Sequence, residues 1–106
     1  MNDIVKKNAG SLPLSVKEVE DRIAVIRNQE IIADADVAFL YGVKTKEVNQ
    51  AVKNNPDKFP AAYMFELTPN ELRDLRSKIS ATNVSAMNRN PTKAFTERGL
   101  YMLATI

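Results

Sequence analysis

The stretch DADVAFLYGVKTKEVNQAVK, residues 34–53, decides how the rest of the chain is read. In its first half Val37, Leu40 and Tyr41 recur at i, i+3 and i+4, the spacing of one helix face, and Asp34 stands where an N-cap side chain would start a helix over Ala35–Tyr41. Gly42 is the residue type that takes a left-handed φ most readily, so it ends that helix. Thr45 then reads as the N-cap of a second helix reaching about Asn54, with Val48, Ala51 and Val52 turned inward. Two short helices joined by a tight glycine turn are a helix-turn-helix. Ala38 supplies the small residue needed where the two backbones approach, and Val37, Tyr41, Val43, Val48 and Ala51 fill the space between them.

With that inward face assigned, the second helix presents Thr45, Lys46, Asn49, Gln50 and Lys53 outward, and Lys44 precedes them in the turn. In this motif the second helix enters the DNA major groove with its N-terminal residues foremost. Asn and Gln amides pair with adenine in bidentate fashion, while Lys reaches guanine acceptors or phosphates. The expected base readers are therefore Asn49 and Gln50, and the expected phosphate contacts are Lys44, Lys46 and Lys53. A helical hairpin that never meets DNA satisfies the same spacing, with these side chains forming a solvated face, and that alternative stays open.

Working outward, Ile23–Arg27 and Glu30–Ala33 are β-branched runs on either side of Asn28-Gln29, which predicts a hairpin turning at those two residues. Further upstream the chain is polar and aperiodic, so residues 1–18 are expected to be a flexible leader and residues 19–106 one domain. Downstream, Tyr63–Leu67 alternates as a half-buried strand with Tyr63, Phe65 and Leu67 on one side. Thr68-Pro69-Asn70-Glu71 is a capping box with proline at the first helical position, opening a helix whose apolar stripe is Leu72, Leu75 and Ile79. Ser80–Lys93 lacks a period and reads as an exposed loop, in which Arg89 and Lys93 are candidates for backbone contacts of the kind a wing makes. A last helix begins at Thr96 and runs to Ile106 with Leu100, Leu103 and Ala104 inward; its lack of a C-cap predicts a longer natural protein of which this is the N-terminal domain. The fold class predicted is α+β: a helix-turn-helix, a small antiparallel sheet and a C-terminal helix in a single domain.

Composition narrows the chemistry. The 106 residues hold no cysteine and no histidine, which removes thiolate nucleophiles, imidazole bases, Ser-His triads, disulfides and Cys/His zinc sites. No placed carboxylate pair and no glycine-rich phosphate loop is present, so the expectation is a non-enzyme with no metal and no cofactor. Net charge is only +2, but it is unevenly spread: Glu18–Asp36 carries six acids against Arg22 and Arg27, whereas Leu75–Thr96 carries Arg76, Lys78, Arg89 and Lys93 with no acid. No signal peptide or spanning segment is evident, which predicts a cytoplasmic protein without membrane contact.

The residues from IRNQEIIADADVAFLYGVKTKEVNQAVKNNPDKFPAAYMFELT, followed after a gap by KAFTERGLYML, resemble the N-terminal DNA-binding domain of phage antirepressor-type proteins, in the branch named for the N-terminal part of phage open reading frame six and related to KilA-N and Bro-N domains. The likeness spans roughly Val19–Leu103. It implies a DNA-binding role for the helix holding Thr45, Lys46, Asn49, Gln50 and Lys53, in a phage- or prophage-derived transcriptional regulator carrying a further C-terminal domain. The partner expected is double-stranded DNA. A protein-interaction module that binds a repressor is the rival, and a homodimer is a further candidate assembly; a protein interface would favour a central aromatic or methionine cluster, whereas most aromatics here fall at core-period positions.

Overall fold

A computed structural model describes residues 16–85 and 90–106. In chain order the elements are α1 (Val16–Glu20), β1 (Ala24–Ile26), β2 (Gln29–Ala33), α2 (Asp34–Tyr41), α3 (Thr45–Asn54), a 3-10 turn at Pro56–Lys58, β3 (Met64–Glu66), α4 (Pro69–Lys78), β4 (Lys93–Phe95) and α5 (Glu97–Thr105). The four strands form one antiparallel sheet in the order β1-β2-β4-β3. The α+β class is as expected from the sequence. Residues 1–15 of the predicted leader lie outside the described residues, and Val16–Glu20 is helical.

The sheet divides the core into two apolar clusters, and the period of two along each strand decides which side chain joins which. Ile31 and Ala33 face one side with Ala24, Ile26, Phe65, Leu67 and Ala94, closed over by Leu75, Ile79 and Val84. Ile32 and Phe95 face the other side, where Val37, Ala38, Leu40, Val48, Val52, Phe59 and Leu103 cover them. Phe59 meets Phe95 edge-on, 6.2 Å between ring centroids. Because both faces are covered, Tyr63–Leu67 does not have the simple wet and dry sides expected: Phe65 and Leu67 belong to the first cluster, whereas Tyr63 and Met64 pack against the second.

The largest departure from the sequence reading is β4. Lys93 was expected to end an exposed loop and Ala94-Phe95 was given no element, yet Lys93–Phe95 is a central strand, pairing Phe95 with Ile32 and with Met64, and Ala94 with Ala33 and with Phe65. The loop before it is less exposed than its composition suggests, since Val84 and Thr92 are buried. Two aspartates at the start of α2 hold its ends. Asp36, fully buried, accepts from the Thr82 hydroxyl at 2.6 Å, the Asn83 backbone N–H at 2.6 Å and the Asn83 amide at 3.1 Å. Asp34, 1% exposed, accepts from the Lys93 backbone N–H at 3.2 Å. Their place in the first turn suits the charge, because the helix N-terminus favours an anion.

Three local boundaries also differ by a residue. The hairpin turns at Arg27-Asn28 rather than Asn28-Gln29, since Ile26 pairs Gln29 and the two residues between have φ of 54° and 61°, the positive values of a tight two-residue turn. The α2 N-cap is Ala33, and Asp34 is the first helical residue, its carboxylate accepting from Ala35 N–H at 2.7 Å. For α3 the N-cap is Lys44 rather than Thr45, because Glu47 Oε2 reaches back to accept from Lys44 N–H at 2.9 Å.

Candidate nucleic-acid interface

The candidate site grows from the α2 to α3 connection. Gly42 has φ 69° and ψ 31°, and around it Val43 N–H bonds Ala38 O at 2.9 Å while Gly42 N–H bonds Phe39 O at 3.2 Å, the paired bonds of a Schellman turn. The reversal brings α3 back across α2, with Val37, Ala38 and Val48 each 2% exposed or less between them. Ala38 is the small residue at the crossing, as read from the sequence.

Burial of Val48 and Val52 turns the opposite face of α3 to solvent, and Lys46, Asn49, Gln50 and Lys53 follow one another at i, i+3, i+4 and i+7 along it. Facing them across an open cleft of about 750 Å³ is the chain that enters β4: Thr45, Lys46, Asn49, Gln50 and Lys53 line it from α3, Asn90, Pro91 and Lys93 from the approach to β4, and Val52 and Glu66 line it as well. Six of the eight residues expected to contact DNA therefore line a single cleft. The missed strand explains this convergence, since β4 places Lys93 beside the helix.

The remaining two differ in kind. Lys44 is exposed at the α3 N-cap and is not among the cleft residues. Arg89 lies outside the described residues.

Within the cleft the two amides are not equivalent. Gln50 is exposed and its Nε2 donates to Asn54 Oδ1 at 2.9 Å, which lays the side chain along the helix. Asn49 is half-buried, and its Oδ1 is buried without a hydrogen-bond partner among the described residues. Burial raises the Asp34 carboxyl above its ordinary range, opposed by the backbone bonds from Lys93 and Ala35 and by the Lys93 charge. Three lysines against one glutamate give the cleft a positive balance.

The Ala94–Gly99 segment, part of the KAFTERGLYML stretch, is built for packing rather than contact. Thr96 Oγ1 caps α5 by accepting from Gly99 N–H at 3.3 Å and lies 2.8 Å from Ala62 O and 3.1 Å from Tyr63 O, to which it can donate. Elsewhere, Phe39 is exposed on α2 but carries the Arg22 guanidinium 4.1 Å from its ring centroid, and Tyr101 is exposed on α5. No helix among the described residues is long and apolar enough to cross a membrane.

The family model described as ORF6N domain matches residues 21–106. No curated protein and no solved structure matches the chain.

Proposed function

The chain belongs to the ORF6N domain family, and from that membership together with the cleft geometry we propose that it binds double-stranded DNA with sequence preference, as the DNA-binding module of a phage-type antirepressor or related transcriptional regulator. The observation that carries this reading is the convergence of Lys46, Lys53 and Lys93 with the Asn49 and Gln50 amides on one open cleft. Cations there displace counterions from phosphates and fix the register, while the exposed Gln50 amide, once turned from Asn54, supplies the bidentate donor and acceptor pattern that distinguishes adenine. α3 enters the major groove, and the Asn90–Lys93 wall follows the adjacent backbone.

A repressor-capturing interface would call for a clustered apolar or aromatic patch. The exposed aromatics, Phe39 and Tyr101, stand on different helices, and the first is capped by Arg22, so the cleft is the better supported surface. Selection on random duplexes at a fixed salt concentration, followed by anisotropy titrations of the enriched and a scrambled duplex, tests the reading. An enriched motif bound more tightly than the scrambled sequence is expected; equal affinity for the two, or no duplex binding at low salt, contradicts it.

A further inference from the structure

Among the described residues that line the cleft, Glu66 is the one acid, set among Lys46, Lys53 and Lys93. Its place follows from the sheet. Glu66 on β3 and Lys93 on β4 are direct partners in the antiparallel register. Both project to the face that α3 covers, because Met64 and Phe95, two residues along each strand, pack in the cluster beneath that helix. The backbone is held on either side: the Glu66 carbonyl accepts from Arg27 Nη2 at 3.3 Å, and Leu67 N–H donates to Thr92 O at 2.8 Å. The side chain is exposed, and among the described residues no hydrogen bond or ion pair engages its carboxylate, the Lys93 ammonium included. A carboxylate left free beside a lysine repels any phosphate that approaches the lysine from its side.

In a duplex complex without base contacts, the phosphates alone decide how the backbone lies on the protein. Lys93 stands between two tracks for it. On one, the backbone passes between Lys93 and α3; on the other, it crosses Lys93 towards β3 and meets Glu66. Resting on the reading of this cleft as a duplex site, we infer that Glu66 is a specificity-determining residue that closes the second track to phosphate, so that the backbone follows the track on which α3 meets the base edges. Its action is repulsive, and it bears most on complexes that lack base contacts, since these would otherwise occupy both tracks.

Glu66→Gln removes the charge at nearly constant size, and Glu66→Lys reverses it. Affinities for an enriched and a scrambled duplex are compared by anisotropy over a salt series. Glu66→Lys should raise scrambled-duplex affinity about eightfold at about 0.1 M salt and steepen its log-log salt slope by about 0.9, the worth of one further phosphate contact, with Glu66→Gln moving the same way by about threefold. Enriched-duplex affinity should stay within about twofold in both variants, so discrimination falls. Glu30→Lys, an equal change of net charge at an exposed β2 residue outside the cleft, should leave discrimination unaltered. An equal rise for both duplexes would make Glu66 a general counter-charge and overturn the inference, as would a rise no larger than that of Glu30→Lys. In either case the unmodified protein still binds and discriminates, and the DNA reading stands. Failure of the unmodified protein to bind any duplex at low salt overturns that reading, and the role of Glu66 with it.

Discussion

Single side chains in this domain carry constraints of quite different kinds, and substitutions separate them. A Cβ added at Gly99 would lie 2.0 Å from Tyr63 O and 2.9 Å from Tyr63 C, so Gly99→Ala must push α5 away from the segment that Thr96 clamps. Overpacking against backbone of this sort should cost about 2–3 kcal/mol, visible as a lower urea midpoint with an unchanged m-value. Gly42 is constrained by conformation instead: at φ 69° a β-branched side chain is strained, and Gly42→Val should lose about 1–3 kcal/mol of stability. Thermal melting tests it, and an unchanged midpoint would contradict the turn geometry. Asp36→Ala removes the buried acceptor of the half-buried Thr82 hydroxyl and of the N–H of Asn83, an exposed residue that water can reach, so a loss of about 1–3 kcal/mol is expected. Amide exchange at Asn83 should quicken well beyond what global destabilisation explains.

At the level of elements, legibility in the sequence followed the number of residues that repeat a period. The α2 and α3 helices were readable because apolar positions recur at helical spacing over 8 and 10 residues and a glycine separates them. α4 was readable from its capping box, in which Glu71 Oε1 accepts from Thr68 N–H at 2.9 Å. β4 was not, because Lys-Ala-Phe is three residues long and too short to display alternation, and its strand character comes from partners more than 25 residues away. The outward face of α3 was likewise legible, whereas the opposing wall of the cleft was not, since only the sheet register places Lys93 there. The half-buried state of Asn49 was hidden as well, because helical spacing alone places it on the outward face of α3. If the two walls act together on DNA, Lys46→Ala, Lys53→Ala and Lys93→Ala should each reduce the slope of log affinity against log salt by about 0.9. Anisotropy titrations over a salt series check this, and an unchanged slope for Lys93→Ala would confine the interface to α3.

On the scale of the molecule, the two halves are tied at the surface as well as through the core. Arg27 in the hairpin turn reaches Glu71 on α4 with Nε to Oε2 at 2.8 Å and Nη2 to Oε1 at 2.9 Å, and its guanidinium lies 4.2 Å from the Phe65 ring centroid. The Arg27 bond, with help from the Thr68 backbone N–H, lowers the Glu71 carboxyl to about 2. A depressed folded-state value means stabilisation that is present above the ordinary value of 4.5 and fades as pH falls towards 2. The stability gap between the unmodified protein and Glu71→Gln should therefore be largest near neutrality and should close on acidification. Comparing the two proteins in parallel urea titrations cancels the opposite trend of Asp34, whose raised carboxyl favours the folded state at lower pH. The placement of β4 bears on when such a chain can fold at all. Among the described residues, 93–95 form the last strand to be synthesised and the one that touches both β2 and β3, so the sheet stays in two pieces until residue 95 has been made. A nascent chain ending before Lys93 would hold the helices of the cleft against half a core, and release of the final segment, rather than growth of the helices, would time the appearance of a competent binding surface.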